Sequence, residues 1–526
     1  MFQVLVTDPL STLGLAQLEA ESDIEVIQKI NPTTAELYTA IQTADALLVR
    51  SQTQVTAKIL DAAPRLKAIG RAGVGVDNID VQAATEHGVI VLNAPDGNTI
   101  STAEHAFALL ISLARNIPQA HAFTQAGMWE RKRFLGTECR GKVLGIIGMG
   151  RVGSELAKRA LAFQMDVIAF DPYLTTERAR KLNINKLSFT DVIQQADFIT
   201  VHTPLTKATH HLINREALAQ MKEGVRIINC ARGGIVDENA LEEALASGKV
   251  AGVALDVYEV EPPGRHPLFH YPQVIATPHL GASTTEAQES VAIDVCRELI
   301  HILRDQPFRN AVNLPSLPPE VREKIRPYQQ LAEKMGKLAA LTCIGAPARI
   351  TLSYAGELAE WDTSYLTRLA LKGALSPHLS GINNVNAPYI AEQRGIIITE
   401  QRSSKQHGFT NQLTVSIESE HHHRTIAGTL LNGLGPRCTQ IDGYAIDLIP
   451  EGDILLIHHH DRPGAIGRVG SLLGDLEINI ATMQVGRKDR GGNAIMLLTM
   501  DRPLQPEGIG SLEALDEIQS VLQFEL

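Results

Sequence analysis

The chain has 526 residues, of which 44% are hydrophobic and 20% charged, a composition typical of a globular protein of roughly three or four domains. Its net charge is −11, so no overall basic field favours nucleic acid or an anionic membrane. The five cysteines are scattered without a CxxC pair, which favours reduced thiols and a cytoplasmic location. A strand-like run begins at Phe2, so we expect no leader peptide, and no stretch resembles a membrane span.

Short β-rich runs alternate with amphipathic helical segments up to about residue 95, as in VLVTD, ALLVRS and GVIVLNAP. This alternation predicts a parallel sheet covered by helices. One long helix is expected next, STAEHAFALLISLARNIPQAHAFTQAG, with Ser101 as N-cap and Glu104 in the capping-box position. A second βα series runs from KVLGIIGMGRVG to VIATPHLGAST, and a helix near residues 284–305 would return the chain to the first unit. The pattern predicts an α/β protein with two doubly wound, Rossmann-like lobes, the second inserted in the first.

The proline-rich segment NLPSLPPEVREKIRP predicts a linker to a C-terminal half. The residues after it begin helical and become β-rich, and the final segment has the order β-α-β-β-α-β of a ferredoxin-like fold. The expected domains are a substrate-binding unit (1–97 and 285–314), a nucleotide-binding unit (98–284), an α+β unit (315–450) and a ferredoxin-like unit (451–526).

A glycine motif, Gly148-x-Gly150-x-x-Gly153, lies between an apolar strand and a helix. Glycines in this pattern allow a tight turn, a close approach of the backbone to a pyrophosphate, and close helix packing. Asp171 ends the next strand, where a carboxylate binds a ribose 2′-hydroxyl and repels a 2′-phosphate. The motif therefore predicts NAD rather than NADP. The upstream stretch GRAGVGVDN lacks this spacing and favours binding of a substrate anion.

Three motifs place reactive side chains at predicted strand ends, where ligands bind in open α/β sheets. NCARGGIVDE supplies Arg232, ALDVYEVEPP supplies Asp256, Glu259 and Glu261, and TPHLGAST supplies His279. Oxidation of a 2-hydroxy acid by NAD needs a base for the hydroxyl proton and a cation for the carboxylate. An arginine fork can bind the carboxylate, and an acid beside a histidine orients the imidazole. Each residue alone has an ordinary structural explanation, but together they favour a dehydrogenase.

Over about residues 1–314 the chain resembles the D-isomer-specific 2-hydroxyacid dehydrogenases, in GRAGVGVDNID, GMGRVGSELAKRA, NCARGGIVDE, ALDVYEVEPP and PHLGAST. The resemblance implies that His279 is the acid/base, Glu261 its carboxylate partner and Arg232 the anchor of the substrate carboxylate. Formate-oxidising relatives have glutamine in place of Glu261, so the acid favours hydroxy-acid chemistry. The resemblance also implies a set of NAD-binding residues: Gly148, Gly150, Arg151, Val152, Gly153, Asp171, Thr203, Cys230, Ala231, Asp256, Gly281 and Ala282.

The domain order is similar to that of long-form family members that oxidise 3-phosphoglycerate to 3-phosphohydroxypyruvate, the first step of L-serine synthesis. The resemblance assigns the phosphorylated substrate to Arg50, Arg71, Gly73, Val74 and Asn98. Many relatives have a hydroxyl residue where this chain has Val74, which offers only its backbone N–H. Arg131 in MWERKRF could reach the cleft of a neighbouring subunit of a homodimer or homotetramer, although a solvated basic loop explains it equally well.

The C-terminal unit resembles the ACT amino-acid-sensing domain, in HHHDRPGAIG and INIATM, and the unit before it resembles the allosteric substrate-binding (ASB) domain of the long forms. This implies L-serine as an effector, bound by Asp461 and Asn479 across a domain pair, with His459 lining the site. Asp461 departs from the asparagine of many relatives, but a carboxylate can receive the ammonium group of an amino acid.

The triplet His458–His460 also suggests a metal site. On a strand, His458 and His460 share one face and His459 points to the other. At most two histidines and Asp461 then converge, whereas a tetrahedral metal needs three or four ligands. We therefore expect no metal. The second triplet, His421–His423, is interpreted as a polar loop.

Two other functions stay open at this point. A glyoxylate or hydroxypyruvate reductase, or another D-2-hydroxyacid dehydrogenase, would share the fold, but such chains usually lack the two further domains. An NAD-sensing, co-repressor-like binding protein would share the cofactor motif, but it would not need the Arg232, Glu261 and His279 set. We expect an enzyme acting on a small molecule, with no nucleic-acid or membrane partner.

Overall fold

The structure, a computed structural model, describes residues 1–404 and 408–526. The strands of the first lobe are β1 (Phe2–Val6), β2 (Ile24–Gln28), β3 (Ala46–Val49), β4 (Ala68–Arg71) and β5 (Ile90–Leu92). They form a five-stranded parallel sheet in the order β2-β1-β3-β4-β5. Its helices in this part of the chain are α1 (Thr12–Glu19), α2 (Thr34–Ile41), α3 (Ala57–Asp61) and α4 (Val81–Glu86). Strand β3 is buried along its whole length, as expected for a parallel strand between two helical layers.

Two helices connect this lobe to the second one, namely α5 (Thr99–Arg115) and α6 (Ile117–Gln125). The strands of the second lobe are β6 (Val143–Ile147), β7 (Asp166–Phe170), β8 (Asn185–Lys186), β9 (Phe198–Val201), β10 (Val225–Asn229), β11 (Val250–Leu255) and β12 (Val274–Ala276). Its helices are α7 (Arg151–Ala162), α8 (Thr176–Lys181), α9 (Phe189–Gln195), α10 (Arg215–Gln220) and α11 (Glu238–Ala246). The parallel sheet has the order β12-β11-β10-β9-β6-β7-β8, so the connections change direction between β6 and β9. Ligands bind at such a switch point in doubly wound folds.

The chain then returns to the first lobe through α12 (Thr285–Leu303), which packs against α1 and β4. Thr284 caps this helix by accepting a hydrogen bond from Ala287 N–H. The position of α12 agrees with the helix expected near residues 284–305. The prediction of two Rossmann-like lobes, with the second inserted in the first, is confirmed.

The long helix expected from Ser101 onward starts earlier and is broken. Asn98 is the N-cap of α5, and Ser101 lies within the helix and donates its hydroxyl to the Asn98 carbonyl. Asn116 adopts a left-handed conformation with φ 52° and ends α5, and Pro118 lies in the first turn of α6. The Ser101 N-cap prediction was wrong, because the helix begins one turn earlier, after Asn98, although the Asn98 side chain makes no cap hydrogen bond.

The third unit contains the strands β13 (Arg349–Gly356), β14 (Ile397–Ser403), β15 (Asn411–Glu418), β16 (His423–Leu431), β17 (Gly435–Ile441) and β18 (Tyr444–Leu448). Its helices are α13 (Pro319–Ile325), α14 (Gln329–Thr342), α15 (Ser364–Leu375) and α16 (Ala387–Gln393). The sheet order is β14-β13-β15-β16-β17-β18. Gly336 and Gly373 let α14 and α15 pack backbone to backbone, because a Cβ at either would lie about 2 Å from a carbonyl oxygen of the other helix. Helices α15 and α16 lie between β13 and β14, inside the segment that we expected to be β-rich.

The last unit has the elements β19 (Asp453–His460), α17 (Ala465–Asp475), β20 (Ile480–Arg487), β21 (Asn493–Met500), α18 (Pro506–Glu513) and β22 (Ile518–Glu525). Its sheet order, β20-β21-β19-β22, confirms the ferredoxin-like prediction. Leu455 and Ile457 face the helices of this unit, whereas Ile454 and Leu456 belong to the core of the third unit. The third and fourth units therefore share one hydrophobic core.

The third unit also contacts the first lobe, since Asn383 Nδ2 donates to the Gly88 carbonyl at 2.8 Å.

The exact domain boundaries stay predictions. No helix in the described ranges has both the length and the apolar character needed to cross a membrane. All five cysteines are free thiols.

Candidate active site

The side chains that the three sequence motifs supply lie just beyond neighbouring strands of the second lobe. Arg232 follows β10, Asp256 follows β11, and His279 follows β12. These strands are adjacent and parallel, so their carboxyl ends lie at one edge of the sheet. The fold thus brings together three motifs that are separated by up to about 50 residues in the chain.

His279 and Glu261 form a hydrogen-bonded pair, with 2.7 Å between Nδ1 and Oε2. The other carboxylate oxygen of Glu261 accepts the Tyr258 N–H at 3.1 Å. Burial would raise the pKa of Glu261, but the hydrogen bond and charge of His279 and the Tyr258 N–H outweigh it, so the pKa lies below its usual value. Glu261 is therefore a carboxylate near neutral pH. It orients the imidazole and leaves Nε2 available to a substrate.

Asp256 fixes the loop that carries His279. The carboxylate is 1% exposed and accepts the backbone N–H groups of Leu280 at 2.7 Å and Gly281 at 2.8 Å. It also accepts the Thr277 hydroxyl at 2.6 Å and lies 3.2 Å from His105 Nε2. Burial alone would raise the pKa of Asp256, but these hydrogen bonds lower it below its usual value. Asp256 was predicted to contact NAD, and its present contacts make it the anchor of the loop on both sides of His279.

Three arginines from both lobes meet at the cleft. Arg71 is largely buried, and burial and the charges of Arg232 and Arg50 lower its pKa to about 10. Its Nε has no hydrogen-bond partner within the described part of the chain. Arg232 Nε lies 3.2 Å from Asp77 Oδ2 of the first lobe, and a Cβ on Gly75 would collide with the Arg232 guanidinium. The cluster has more positive than negative charge, so an anionic ligand would relieve its repulsion.

The glycine motif has the features that a dinucleotide requires. Gly148 has φ 97° and lies so close to His202 that a Cβ would collide with its carbonyl oxygen. A Cβ on Gly153 would lie 2.1 Å from the Gly148 carbonyl oxygen, whereas the space beside Gly150 is open. Gly150 is the N-cap of α7, so its turn points unpaired N–H groups and the positive end of the helix dipole toward this space. The motif therefore fits a pyrophosphate.

Other predicted cofactor residues surround this turn. Asp171 accepts the N–H groups of Met149 at 2.8 Å and Tyr173 at 2.7 Å, which places its carboxylate beside the glycine turn. The buried Thr203 hydroxyl has no partner among the described residues, which a bound cofactor could supply. Burial raises the pKa of the Cys230 thiol well above its usual value, so this thiol stays neutral. Val152 lies in the first turn of α7, Ala231 follows β10, and Gly281 and Ala282 lie in the loop between β12 and α12.

Two predicted residues have neighbours that the sequence did not suggest. Arg151 forms an ion pair with Asp96 of the first lobe. Arg131 lies in a short 3₁₀ turn, Arg131–Phe134, with its guanidinium 6.0 Å from the Trp129 ring, and does not join the three-arginine cluster of its own chain. The remaining predicted substrate residues, Gly73, Val74 and Asn98, lie in the loops after β4 and β5.

The predicted effector residues lie in two places. Asp461 Oδ2 accepts hydrogen bonds from the Gly491 N–H and from Arg487, and these donors lower the pKa of Asp461. Asn479 donates to Asp501 at 2.7 Å and lies before β20, at the opposite end of the sheet. A site containing both residues therefore needs two copies of the domain.

The histidine triplet alternates faces as predicted. His459 is 1% exposed, with Nδ1 bonded to the His460 carbonyl, whereas His458 contacts Ser520 and His460 contacts Gln519 on the other face. The triplet does not converge on one point.

Several residues that hold the site were missed by the sequence reasoning. Asp8, fully buried after β1, accepts the Arg50 N–H at 2.6 Å and shapes the turn of that arginine. Asp77 and Asp96 pair with arginines across the cleft. Asp8 could have been found, because an acid directly after a buried strand is a common loop anchor, but the cross-lobe pairs depend on how the lobes meet.

One group of possible metal ligands occurs in the described ranges, consisting of His211, Asp237 and Glu259. Glu259 Oε1 is 3.0 Å from His211 Nε2, and Asp237 Oδ1 caps α11 through the N–H groups of Asn239 and Ala240. These acids already serve as hydrogen-bond acceptors of the fold.

Three family models match the chain in succession. Residues 107–281 match the NAD binding domain of the D-isomer specific 2-hydroxyacid dehydrogenases. Residues 324–442 match the D-3-phosphoglycerate dehydrogenase intervening domain, and residues 454–517 match the ACT domain.

Relatives align along the whole length. The D-3-phosphoglycerate dehydrogenase of Bacillus subtilis is 49% identical over 528 residues and covers 100% of both chains. The enzyme of the same name from Methanocaldococcus jannaschii is 46% identical and covers 99% of both. The crystal structure of a NAD-dependent formate dehydrogenase from Staphylococcus aureus in complex with NAD has a TM-score of 0.54 and 30% identity, covering 59% of this chain and 98% of that one. The chain is an NAD-dependent oxidoreductase. It belongs to the D-3-phosphoglycerate dehydrogenases with an intervening and an ACT domain, within the D-isomer-specific 2-hydroxyacid dehydrogenase family.

Proposed function

We propose that this chain oxidises 3-phosphoglycerate to 3-phosphohydroxypyruvate with NAD, as the first step of L-serine synthesis. The observation that carries the proposal is the arginine cluster, in which Arg50 and Arg71 of the first lobe meet Arg232 of the second lobe. Arg232 follows β10, next to the strands β11 and β12 that precede Glu261 and His279. A substrate with a carboxylate and a phosphate needs several cations, and unphosphorylated hydroxy acids need fewer. The names of the full-length relatives support the same substrate.

In this reaction, His279 Nε2 takes the proton of the substrate hydroxyl, and Glu261 stabilises the imidazolium that forms. Arg232 holds the substrate carboxylate, which fixes the hydroxyl toward His279. NAD, when bound, accepts the hydride from the hydroxyl carbon. The turn at Gly148–Gly153 and Asp171 hold the cofactor, with Arg151, Val152, Thr203, Cys230, Ala231, Asp256, Gly281 and Ala282 around it.

The phosphate is held by the first lobe. Arg50 and Arg71 supply charge, and the backbone at Gly73 and Val74 supplies N–H donors. Asn98 has no side-chain cap bond in α5, so its amide can turn to the phosphate.

Two variants test the assignment. His279→Ala should lower kcat by about 10²–10⁴-fold because it removes the base. Arg232→Ala should mainly raise KM, because the carboxylate loses its anchor. His87→Ala, which removes a histidine paired with Asp61 in the first lobe, is the control and should keep normal kinetics. Wild-type turnover in His279→Ala would overturn the catalytic assignment.

The ACT domain supports control by L-serine. In our proposal Asp461 receives the ammonium group of serine, Asn479 of a second domain completes the site, and His459 lines it. Asp461→Ala should then raise the serine concentration for half-inhibition by about 10- to 100-fold, the equivalent of one hydrogen bond to a charged group. Equal inhibition of both proteins, or none of the wild type, would refute this site.

The chain is proposed to act as a homodimer or homotetramer in the cytoplasm. Helix α6 has no buried residue, and Trp129 and Leu135 beside it are 76% and 88% exposed. Large apolar side chains exposed together favour an interface, through which Arg131 would reach the cleft of a partner. The five free cysteines fit a reducing compartment.

A further inference from the structure

Glu261 lies in a segment with little support of its own. Residues 259–266, which precede the short 3₁₀ turn Pro267–His270, have no regular secondary structure. Val260 is 72% exposed and the Glu261 side chain 38% exposed. The 2.7 Å contact between Glu261 and His279 therefore needs another group that fixes this segment, which we call the Glu261 loop.

Glu238, the first residue of α11, binds both ends of the Glu261 loop. Its Oε1 accepts the Glu259 N–H at 2.9 Å, and its Oε2 lies 2.9 Å from His266 Nε2. His266 Nδ1 accepts the Leu268 N–H, so Nε2 carries the proton and donates to Glu238. Both side chains are largely buried, with 13% of Glu238 and 16% of His266 exposed. The Glu238 carboxylate thus holds both ends of the Glu261 loop, at Glu259 and at His266.

The loop end held by Glu238 is also where the catalytic motifs meet. Tyr258, next to Glu259, donates its N–H to Glu261 and its hydroxyl to the Thr277 carbonyl, two residues before His279. A Cβ on Gly233, next to Arg232, would lie 1.8 Å from the Tyr258 carbonyl oxygen. A shift of Tyr258 and Glu259 would therefore disturb all three catalytic side chains together.

The charged groups next to Glu238 also form hydrogen bonds that hold this part of the structure. Asp237 caps α11, and Glu259 Oε1 accepts from His211 Nε2 at 3.0 Å and from the Glu238 N–H at 3.4 Å. Glu238 and Glu259 therefore bind each other's backbone N–H groups reciprocally. These reciprocal hydrogen bonds hold the start of the Glu261 loop against the start of α11.

We propose that Glu238 is a positioning residue, which fixes the Glu261 loop at Glu259 and His266 and thereby holds the Glu261 carboxylate against His279. The inference rests on the proposed roles of Glu261 and His279. Glu238 acts through the loop and does not itself touch the substrate.

The test compares kcat/KM as a function of pH for the wild type, Glu238→Ala, Glu261→Gln and the double variant. The negative charge of Glu261 favours the protonated form of the His279–Glu261 pair, and this proton must be lost before the pair can act as a base. Glu261→Gln should therefore move the low-pH limb of the kcat/KM profile for hydroxy-acid oxidation to lower pH. Glu238→Ala should lower kcat/KM by about 10- to 100-fold and move the same limb in the same direction. In the Glu261→Gln background it should move the limb no further.

Glu243→Ala is the matched control, because Glu243 lies on the same helix and pairs with Arg215 at the surface, away from the Glu261 loop. Its pH profile should match the wild type. Hydrogen–deuterium exchange without cofactor gives a second measure, since residues 258–266 should exchange faster in Glu238→Ala and not in Glu243→Ala. If Glu238→Ala does not fold, His266→Ala releases the other end of the loop, because alanine cannot donate to Glu238, and it should shift the limb in the same way.

An unmoved low-pH limb in Glu238→Ala, with a shifted limb in Glu261→Gln, would overturn the proposal and leave the proposed function intact. Additive shifts in the double variant would overturn it as well. An unchanged profile in Glu261→Gln would instead contradict the catalytic pair itself, and the proposal with it.

Discussion

Arg71 is the residue at which the proposed preference for a phosphorylated substrate can be tested. Its guanidinium is largely buried, repelled by Arg50 and Arg232, and its Nε lacks a partner among the described residues. The pKa of about 10 leaves it charged near neutral pH. A buried cation without a full set of acceptors costs free energy, which a bound phosphate would recover.

Arg71→Gln should raise KM for 3-phosphoglycerate by about 10- to 100-fold, the equivalent of one charged hydrogen bond. The kcat/KM for D-glycerate, which has no phosphate, should change little. Steady-state kinetics with both substrates would measure this. Arg65→Gln, at an arginine half exposed beside Asp45, is the control. An equal loss with both substrates would contradict a phosphate role.

Asp256 gives a pH-dependent prediction for stability. Its folded-state pKa lies below the usual value, so its contribution is complete above about pH 4 and is lost as pH falls through the folded pKa. Asp256→Asn should lower the free energy of unfolding of the catalytic lobes by about 2 kcal/mol at pH 7, and the difference should narrow below pH 4. Denaturant unfolding at pH 7 and pH 3 would measure it, with Asp61→Asn as an exposed control. A difference that stays constant with pH would count against this explanation.

At the scale of elements, the turn from Gly381 to Asn386 joins the third unit to the first lobe. Asn383 Oδ1 accepts the Val385 and Asn386 N–H groups, and its Nδ2 donates to the Gly88 carbonyl after α4. The Asn383 side chain thus stabilises both its own turn and the end of α4 in the first lobe. The hydrogen bond from Asn383 to Gly88 thus connects the third unit directly to the first lobe.

Asn383→Ala should therefore speed hydrogen exchange at residues 85–91 by about tenfold, as expected for the loss of about one hydrogen bond. Asn384→Ala, which removes a hydrogen bond to Tyr365 within the third unit, is the matched control. Mass spectrometry of exchanged peptides would compare them. Identical exchange at residues 85–91 in both variants would show that this contact does not hold α4.

The sequence was informative where local pattern determines structure. Glycine spacing predicted the turn at Gly148–Gly153, and alternation of faces predicted that His459 and its two neighbours would diverge. It failed at the break in the long helix, because Asn116 ends α5 through a left-handed conformation that the apolar pattern does not reveal. Contacts distant in sequence, such as Arg151 with Asp96, were also missed. The partner of an exposed arginine depends on how the two lobes approach, which no local motif specifies.

At the scale of the whole molecule, one chain combines a two-lobed catalytic unit with two C-terminal units that share a core. The ACT sheet therefore packs directly against the third unit, through Ile454 and Leu456 of β19. The third unit in turn contacts the first lobe at Gly88. The ACT domain, the third unit and the first lobe are thus connected by direct contacts.

The most direct test of the account is the initial rate of NADH formation by the wild-type protein, with 3-phosphoglycerate and with D-glycerate, each with and without L-serine. We predict that kcat/KM for 3-phosphoglycerate exceeds that for D-glycerate by at least about 100-fold, as expected for two phosphate-binding arginines. We also predict that L-serine lowers the rate. Equal use of the two substrates, or no NADH from 3-phosphoglycerate, would contradict the central claim.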